Sequence, residues 1–145
     1  MMDKYVIDVN ILFSGLISRK PFYAKIFSKF HFFTPDFALI ELEKYKKVFL
    51  KKVKNEDREI FEQFGLKIFS QLSVIPDILI PENTKQKAFD LCKDTDEKDF
   101  LYLALALHLN IPLLTRDIPL YEALYQNSSV KIILFDKFLQ DIESF

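Results

Sequence analysis

Apolar residues along the chain are grouped in two ways, as short continuous runs and as longer stretches with helical spacing. The short runs over 4–7, 31–33, 74–75, 111–115 and 131–134 are typical of buried strands. The longer stretches predict helices over 10–17, 21–30, 35–52, 55–71, 84–93, 96–109, 118–125 and 135–142. Because strands and helices alternate, we expect a three-layer α/β/α fold around a short parallel β-sheet.

Local signals mark two of the helix ends. Thr34, Pro35 and Asp36 offer an N-cap, a first-turn proline and a first-turn acid, so a helix is expected to begin there and run to about residue 52. Asn110 follows a stretch that is apolar nearly all round, and it is expected to end that helix in a left-handed conformation. A helix without a polar face is expected to be central and buried.

Composition favours one folded domain over residues 1–145. Hydrophobic residues make up 50% of the chain and a single cysteine, Cys92, excludes an intrachain disulfide. The longest apolar stretch, 100–114, is shorter than the about 20 residues that span a bilayer. The first residues lead directly into a strand rather than a signal peptide, so we expect a soluble cytoplasmic protein. The net charge of -1 neither favours nor excludes nucleic acid as a partner.

Two aspartates stand just beyond the ends of predicted strands. Asp8 follows the run 4–7 and Asp117 follows the run 111–115. In parallel α/β sheets, sites lie beyond the carboxyl ends of the strands, so both are candidate metal ligands. Asp8 is alternatively a helix N-cap, although Asn10 can fill that role alone, and Asp117 is alternatively a turn residue.

Glu41 is placed by helical phase. At 100° per residue it falls on the apolar face of its predicted helix, whereas Glu43 falls on the opposite face and is expected to pair with Lys47. A carboxylate on an apolar face is costly unless it is paired or metal-bound. The alternative to a metal is an ion pair with a lysine from elsewhere in the chain.

Asp96 and Asp99 open the central helix. They have the spacing of a capping box, so Asp96 either caps the helix or reaches a second metal ion. Asp99 is expected to lie further into the helix, on the side shared with Leu103 and Ala106, which makes it the better ligand candidate. Acids at a helix N-terminus are also favoured by the helix dipole.

Acidic groups gathered without matching basic groups repel one another, and such clusters usually bind a hard divalent cation. Carboxylate-bound metal ions can activate water for phosphodiester hydrolysis. His31 and His108 lie on apolar elements without the spacing of metal ligands, and the two glycines do not form a phosphate-binding loop.

A lysine-rich stretch follows Glu41 on the same predicted helix. Its lysines at 44, 46, 47, 51, 52 and 54 form either a solvated helix face or a track for a phosphate backbone. Lys46, Lys47, Lys51 and Lys52 are the candidates for substrate binding.

Four segments, taken together and in order, resemble the PIN domain family, and most closely its small prokaryotic branch with the VapC-type toxins. The segments are Tyr5-Val6-Ile7-Asp8-Val9-Asn10-Ile11-Leu12, Thr34-Pro35-Asp36-Phe37 leading to Glu41, Asp96-Glu97-Lys98-Asp99-Phe100-Leu101-Tyr102-Leu103-Ala104-Leu105-Ala106, and Pro112-Leu113-Leu114-Thr115-Arg116-Asp117.

The resemblance implies an endoribonuclease that uses Mg²⁺ or Mn²⁺, is commonly a homodimer and is blocked by a cognate antitoxin. The acidic quartet of the family corresponds to Asp8, Glu41, Asp99 and Asp117. Asn10 and Thr115 match positions that usually carry a small polar residue beside the metal. Arg116 is bulkier than the residue expected there, and it either contacts phosphate or neutralises the acids.

Three other classes of protein are alternatives to a nuclease. A signalling receiver domain would require a pair of acids after the first strand and an acceptor aspartate after a central one, whereas Asp8 stands alone and 74–75 leads only to Pro76 and Asp77. A haloacid-dehalogenase-like phosphatase would require Asp-x-Asp, but residue 10 is asparagine. A metal-binding module without catalytic activity stays open.

Overall fold

Five parallel strands form one sheet in the order β3-β2-β1-β4-β5. The computed structural model describes residues 3–18, 20–95 and 97–143, without the side chains of residues 17, 49, 52, 97 and 143. The strands are β1 (Lys4–Ile7), β2 (His31–Pro35), β3 (Leu72–Ile75), β4 (Leu113–Thr115) and β5 (Ile132–Leu134).

Helices flank this sheet and give the three-layer α/β arrangement that the sequence predicts. They are α1 (Val9–Ser18), α2 (Pro21–Lys29), α3 (Phe37–Lys52), α4 (Arg58–Phe69), α5 (Glu82–Cys92), α6 (Phe100–Leu109), α7 (Ile118–Leu124) and α8 (Phe135–Glu143). Short 3-10 turns occur at Asn55–Asp57, Asp77–Leu79 and Glu97–Asp99. No helix in the described ranges is long and apolar enough to cross a membrane.

The register of the central strands determines which residues meet at the edge of the sheet. Ile7 of β1 pairs with Leu114 of β4, and the two strands run parallel. The next residue along each strand, Asp8 and Thr115, therefore emerges side by side at the carboxyl edge. Ile7 and Leu114 are themselves fully buried, so the edge rests on a rigid part of the core.

The helix α6 is central and buried, as its apolar sequence predicts. It packs against β1, β2 and β4, and Leu103, Ala104 and Leu105 are inaccessible to solvent. Asn110 ends α6 in the left-handed conformation, with φ 55° and ψ 46°, which confirms the predicted C-cap. The N-terminus of α6 is thus held firmly beneath the carboxyl edge of the sheet.

The predicted start of α3 is wrong by two residues. Thr34 and Pro35 belong to β2, where Pro35 pairs with Ile75 of β3, and the helix begins only at Phe37. The Thr34 hydroxyl does not cap the helix but donates to the Ile7 carbonyl at 3.0 Å. Strand pairing and this buried hydrogen bond together outweigh the local capping signal.

The start of the central helix also differs from the prediction. Asp99 ends a 3-10 turn and occupies the N-cap position of α6, so it lies at the entrance of the helix rather than within it. Asp96, the candidate cap or second-metal ligand, lies outside the described residues.

Candidate active site

Asp8 is a buried carboxylate that follows the central strand β1 and is 6% exposed. Its Oδ1 accepts hydrogen bonds from the backbone N–H groups of Asn10 at 3.0 Å and Ile11 at 3.2 Å. Asp8 is therefore itself the N-cap of α1, which is the alternative that the sequence left open for it, and Asn10 does not take that role. Asn10 is exposed in the first turn of α1.

Burial raises the pKa of the Asp8 carboxyl above its usual range, and the negative charge of Asp117 raises it further. Hydrogen bonds from the Ile11 N–H, the Thr115 hydroxyl and the Asn10 N–H oppose this rise. Within the described part of the chain, no lysine, arginine or histidine forms an ion pair with Asp8. The stabilising donors are thus all neutral groups.

Thr115 connects Asp8 to Asp117. This threonine is 1% exposed, and its hydroxyl donates to Oδ2 of Asp8 at 3.3 Å. The same hydroxyl oxygen accepts the backbone N–H of Asp117 at 3.0 Å. Asp117 in turn caps α7, because its Oδ1 accepts the Leu120 N–H at 3.0 Å. Both strand-end acids are therefore oriented by hydrogen bonds of their own.

Glu41 faces inward and Glu43 faces solvent, as the helical phase predicts. The side chain of Glu41 is 16% exposed, whereas that of Glu43 is 74% exposed. Lys44, which is 67% exposed, lies 3.4 Å from Oε1 of Glu41, so the lysine near Glu41 comes from the same helix. Glu43 pairs with Lys46 at 3.9 Å rather than with the predicted Lys47.

Tyr102 is a site residue that the sequence reasoning missed. It is 3% exposed and lies one turn after Asp99 on α6. Burial raises the pKa of its hydroxyl most, and the negative charges of Asp8, Glu41 and Asp99 raise it further. The only available signal was the three-residue spacing from Asp99, because Tyr102 otherwise reads as one apolar position among many. Asp99 itself is half-buried, and its Oδ2 atom is inaccessible to solvent.

Hydrogen bonds through Thr115 link Asp8 to Asp117, and the charges of Asp8, Glu41 and Asp99 all act on the hydroxyl of Tyr102. Among residues 3–18, 20–95 and 97–143, no three acidic, histidine or cysteine side chains are grouped closely enough to form a preassembled metal site.

The donor chemistry nevertheless fits a hard divalent cation. All the candidate ligands offer carboxylate oxygens, which Mg²⁺ and Mn²⁺ prefer. The buried charge of Asp8 is balanced only by neutral donors among the described groups, and a divalent ion would compensate it. Binding would require the carboxylates of Glu41 and Asp99 to approach the two strand-end acids more closely.

Arg116 is held by neighbours other than the acids. Its guanidinium donates to the Ser14 hydroxyl at 2.8 Å and to the Tyr23 hydroxyl at 3.1 Å, and it lies 5.0 Å from the centre of the Phe135 ring. These contacts connect the loop after β4 to α1 and α2. Because Arg116 stays exposed and uses two of its five N–H groups here, it retains donors that face solvent.

The candidate substrate-binding lysines lie on the outer surface of α3. Lys46, Lys47 and Lys51 are exposed, and the side chain of Lys52 lies outside the described atoms.

Comparison with known families decides the classification of the chain. The sequence model of the PIN domain matches residues 6–132, a segment that contains Asp8, Glu41, Asp99 and Asp117. The chain belongs to the PIN domain family. PIN domains are generally nucleases and typically use divalent metals. Comparison with curated protein sequences gives no significant match.

Solved structures show the same PIN-like fold at low sequence identity. PAE2754 from Pyrobaculum aerophilum is 17% identical with a TM-score of 0.64, and the match covers 100% of both chains. VapBC2 from Rickettsia felis, in a structure bound to a DNA fragment from its promoter, is 16% identical with a TM-score of 0.61. That match covers 90% of this chain and 98% of the other. A toxin–antitoxin complex from Klebsiella pneumoniae is 16% identical with a TM-score of 0.54, covering 89% and 95%.

Proposed function

We propose that this PIN domain is an endoribonuclease that depends on Mg²⁺ or Mn²⁺. Asp8, Glu41, Asp99 and Asp117 would hold the metal, and Asp96 would extend the ligand set. The observation that carries the proposal is the environment of Asp8, a buried carboxylate that hydrogen bonds orient at the sheet edge and that no lysine, arginine or histidine among the described residues pairs with. Such a group is costly in a structural role and useful as a metal ligand.

The four acids come from different elements of the fold. Asp8 and Asp117 are fixed by backbone N–H groups and by the Thr115 hydroxyl, so they define the position of the site. Glu41 and Asp99 approach from α3 and α6 and complete the ligand set. A bound divalent ion supplies Lewis-acid chemistry at the phosphodiester and lowers the pKa of water.

Substrate binding would fall to Arg116 and to the lysines of α3. Lys46, Lys47 and Lys51 are exposed and, with Lys52, follow Glu41 along the helix, so an RNA strand that reaches the acids would extend along α3. The solvent-facing donors of Arg116 are suited to a phosphate oxygen. Sequence-independent phosphate contacts of this kind supply affinity rather than specificity.

We further propose that the protein acts in the cytoplasm as a homodimer and is the toxin of a toxin–antitoxin pair. The support is the fold shared with the Klebsiella pneumoniae toxin–antitoxin complex. An antitoxin protein would inhibit cleavage by covering the acidic edge. Co-expression with the product of a neighbouring small reading frame, followed by gel filtration, tests this assignment.

Cleavage of end-labelled RNA tests the nuclease activity. The purified chain is assayed in EDTA and after addition of Mg²⁺ or Mn²⁺, beside Asp99→Asn, Glu41→Gln and the matched control Glu43→Gln. We expect metal-dependent cleavage by the wild type and by Glu43→Gln, and a loss of at least about 100-fold in the two site variants, since even outer-shell changes cost about 10–100-fold. Undiminished cleavage by Asp99→Asn would remove the assignment, whereas metal binding without any cleavage would favour a catalytically inactive module.

A further inference from the structure

The hydroxyl of Tyr102 is buried without a hydrogen-bond partner among the described residues. The side chain is 3% exposed, and its oxygen meets the geometric limits of a hydrogen bond with none of the described groups. Leaving a buried hydroxyl unpaired costs about 1–3 kcal/mol. Because buried polar groups in proteins are usually satisfied, this exception requires an explanation.

The groups that surround this hydroxyl are mainly acceptors. Burial contributes most to raising the pKa of Tyr102, followed by the charge of Asp8 and then those of Glu41 and Asp99. The backbone N–H of Val9 lowers that pKa, although it falls short of hydrogen-bond geometry. A phenol with an ordinary pKa of about 10 is already protonated at neutral pH, so the hydroxyl is a buried donor on which the charges of three carboxylates act.

The aromatic ring of Tyr102 is fixed where two acid-bearing helices meet. It packs edge-on against Phe37, with ring centroids 6.3 Å apart. Phe37 opens α3 one turn before Glu41, and Tyr102 follows Asp99 by one turn on α6. The ring of Tyr102 is therefore fixed beside the first turns of the two helices that carry Glu41 and Asp99.

We infer that Tyr102 is a positioning residue of the metal centre, whose hydroxyl donates to the carboxylate of Glu41 or Asp99 when these acids bind the ion. This inference rests on the proposed metal-dependent function. Asp8 is the weaker acceptor, because its oxygens already receive three hydrogen bonds. A second hydrogen bond on a ligating carboxylate fixes its orientation, and such partners change metal affinity by about 10–100-fold.

Manganese affinity of the Tyr102→Phe variant tests the inference. Phenylalanine keeps the ring and removes the hydroxyl alone. Tyr5→Phe is the matched control, because Tyr5 is also buried, at 7% exposure, and lies near Asp3 and Asp141 at the start of β1. Affinity is measured by titrating Mn²⁺ into each EDTA-treated protein and following the melting temperature, with calorimetry as a second measure.

We expect Tyr102→Phe to bind Mn²⁺ about 10–100-fold more weakly than the wild type. Without metal it should be at least as stable, because the variant removes an unpaired buried hydroxyl. Tyr5→Phe should bind Mn²⁺ like the wild type. A purely structural role would lower the melting temperature equally with and without metal and leave the affinity unchanged, which would overturn the inference.

Near-ultraviolet absorption gives an independent signature. The chain has six tyrosines and no tryptophan, so this region of the spectrum reports on tyrosine. Adding Mn²⁺ to the wild type should produce a tyrosine difference band that Tyr102→Phe lacks. Equal affinity and an unchanged band would overturn the role of Tyr102 and leave the proposed function standing. A wild type without any response to millimolar Mn²⁺ would overturn both.

Discussion

Replacing Asp8 with asparagine should stabilise the metal-free protein. Asparagine caps helices as well as aspartate does, so its Oδ1 can keep the bonds from the N–H groups of Asn10 and Ile11. The substitution removes a buried negative charge that is disfavoured by burial and by Asp117. The amide nitrogen that replaces Oδ2 cannot accept the hydrogen bond of the Thr115 hydroxyl, so this one bond is lost together with the unfavourable charge.

Asp8→Ala separates the charge from the hydrogen bonds. It loses the cap of α1, which contributes typically about 1 kcal/mol. The bond from the Thr115 hydroxyl is lost in both variants, so it does not separate them, and Asp8→Ala should be about 1 kcal/mol less stable than Asp8→Asn. With an unfolding entropy of about 2.1 cal/mol/K per residue, this corresponds to a melting temperature roughly 3 °C lower for a chain of 145 residues.

The advantage of Asp8→Asn should depend on pH. Because the pKa of Asp8 is raised in the folded state, the folded protein binds more protons than the unfolded chain between the unfolded pKa, near 3.9, and the folded one. Protonated Asp8 therefore stabilises the wild type below the unfolded pKa, and this stabilisation is lost as the pH rises through the pKa of Asp8 in the folded protein. The difference in melting temperature between Asp8→Asn and the wild type should therefore grow upward from about pH 4 and then level off.

Thermal unfolding in EDTA from pH 4 to 7.5, followed by circular dichroism, measures both effects. Addition of Mn²⁺ at a hundredfold excess over its dissociation constant should stabilise the wild type by about 2.7 kcal/mol, or roughly 9 °C, and should barely affect Asp8→Asn. If Asp8→Asn were less stable than the wild type at every pH, the Asp8 charge would not be disfavoured, and the electrostatic reasoning would be wrong.

Two further predictions concern the lysines of α3 and Arg116. Changing Lys46, Lys47, Lys51 and Lys52 together to glutamine should weaken RNA binding. The slope of the logarithm of the binding constant against the logarithm of the salt concentration should flatten by up to about 0.7 for each lost phosphate contact, as measured by filter binding. An unchanged slope would show that these lysines form only a solvated surface. Arg116→Ala should lower the melting temperature by about 3 °C, because it removes hydrogen bonds to Ser14 and Tyr23 that together contribute about 1 kcal/mol. An unchanged melting temperature would show that these bonds contribute little.

Features that follow from local periodicity could be predicted from the sequence. The buried strand before Asp8 and the helical phase that turns Glu41 inward and Glu43 outward depend only on spacing along the chain. The left-handed conformation of Asn110 follows from the preference of asparagine for that region after an apolar helix. The α/β fold class could likewise be predicted from the alternation of strands and helices along the chain.

Features that depend on contacts between distant segments could not be predicted. Thr34 looks like a helix cap, yet its hydroxyl bonds to Ile7, which is a neighbour only after the sheet has formed. Asp8 caps α1 in addition to facing Thr115, and no local pattern indicates that one carboxylate does both. Tyr102 gives no sign in sequence that its hydroxyl lies among acids, because its position within an apolar helix is typical of the core.

Location of Mn²⁺ by anomalous scattering tests the metal centre most directly. Crystals grown from EDTA-treated protein with millimolar Mn²⁺ would be measured at the manganese absorption edge, beside crystals of Asp8→Asn. We expect an anomalous peak at the carboxyl edge of β1 and β4, in contact with Asp8 and Asp117 and approached by Glu41 and Asp99, and we expect no such peak in the variant. A wild-type map without a peak at this edge, or with manganese bound only elsewhere, would contradict the assignment of these carboxylates as the metal site.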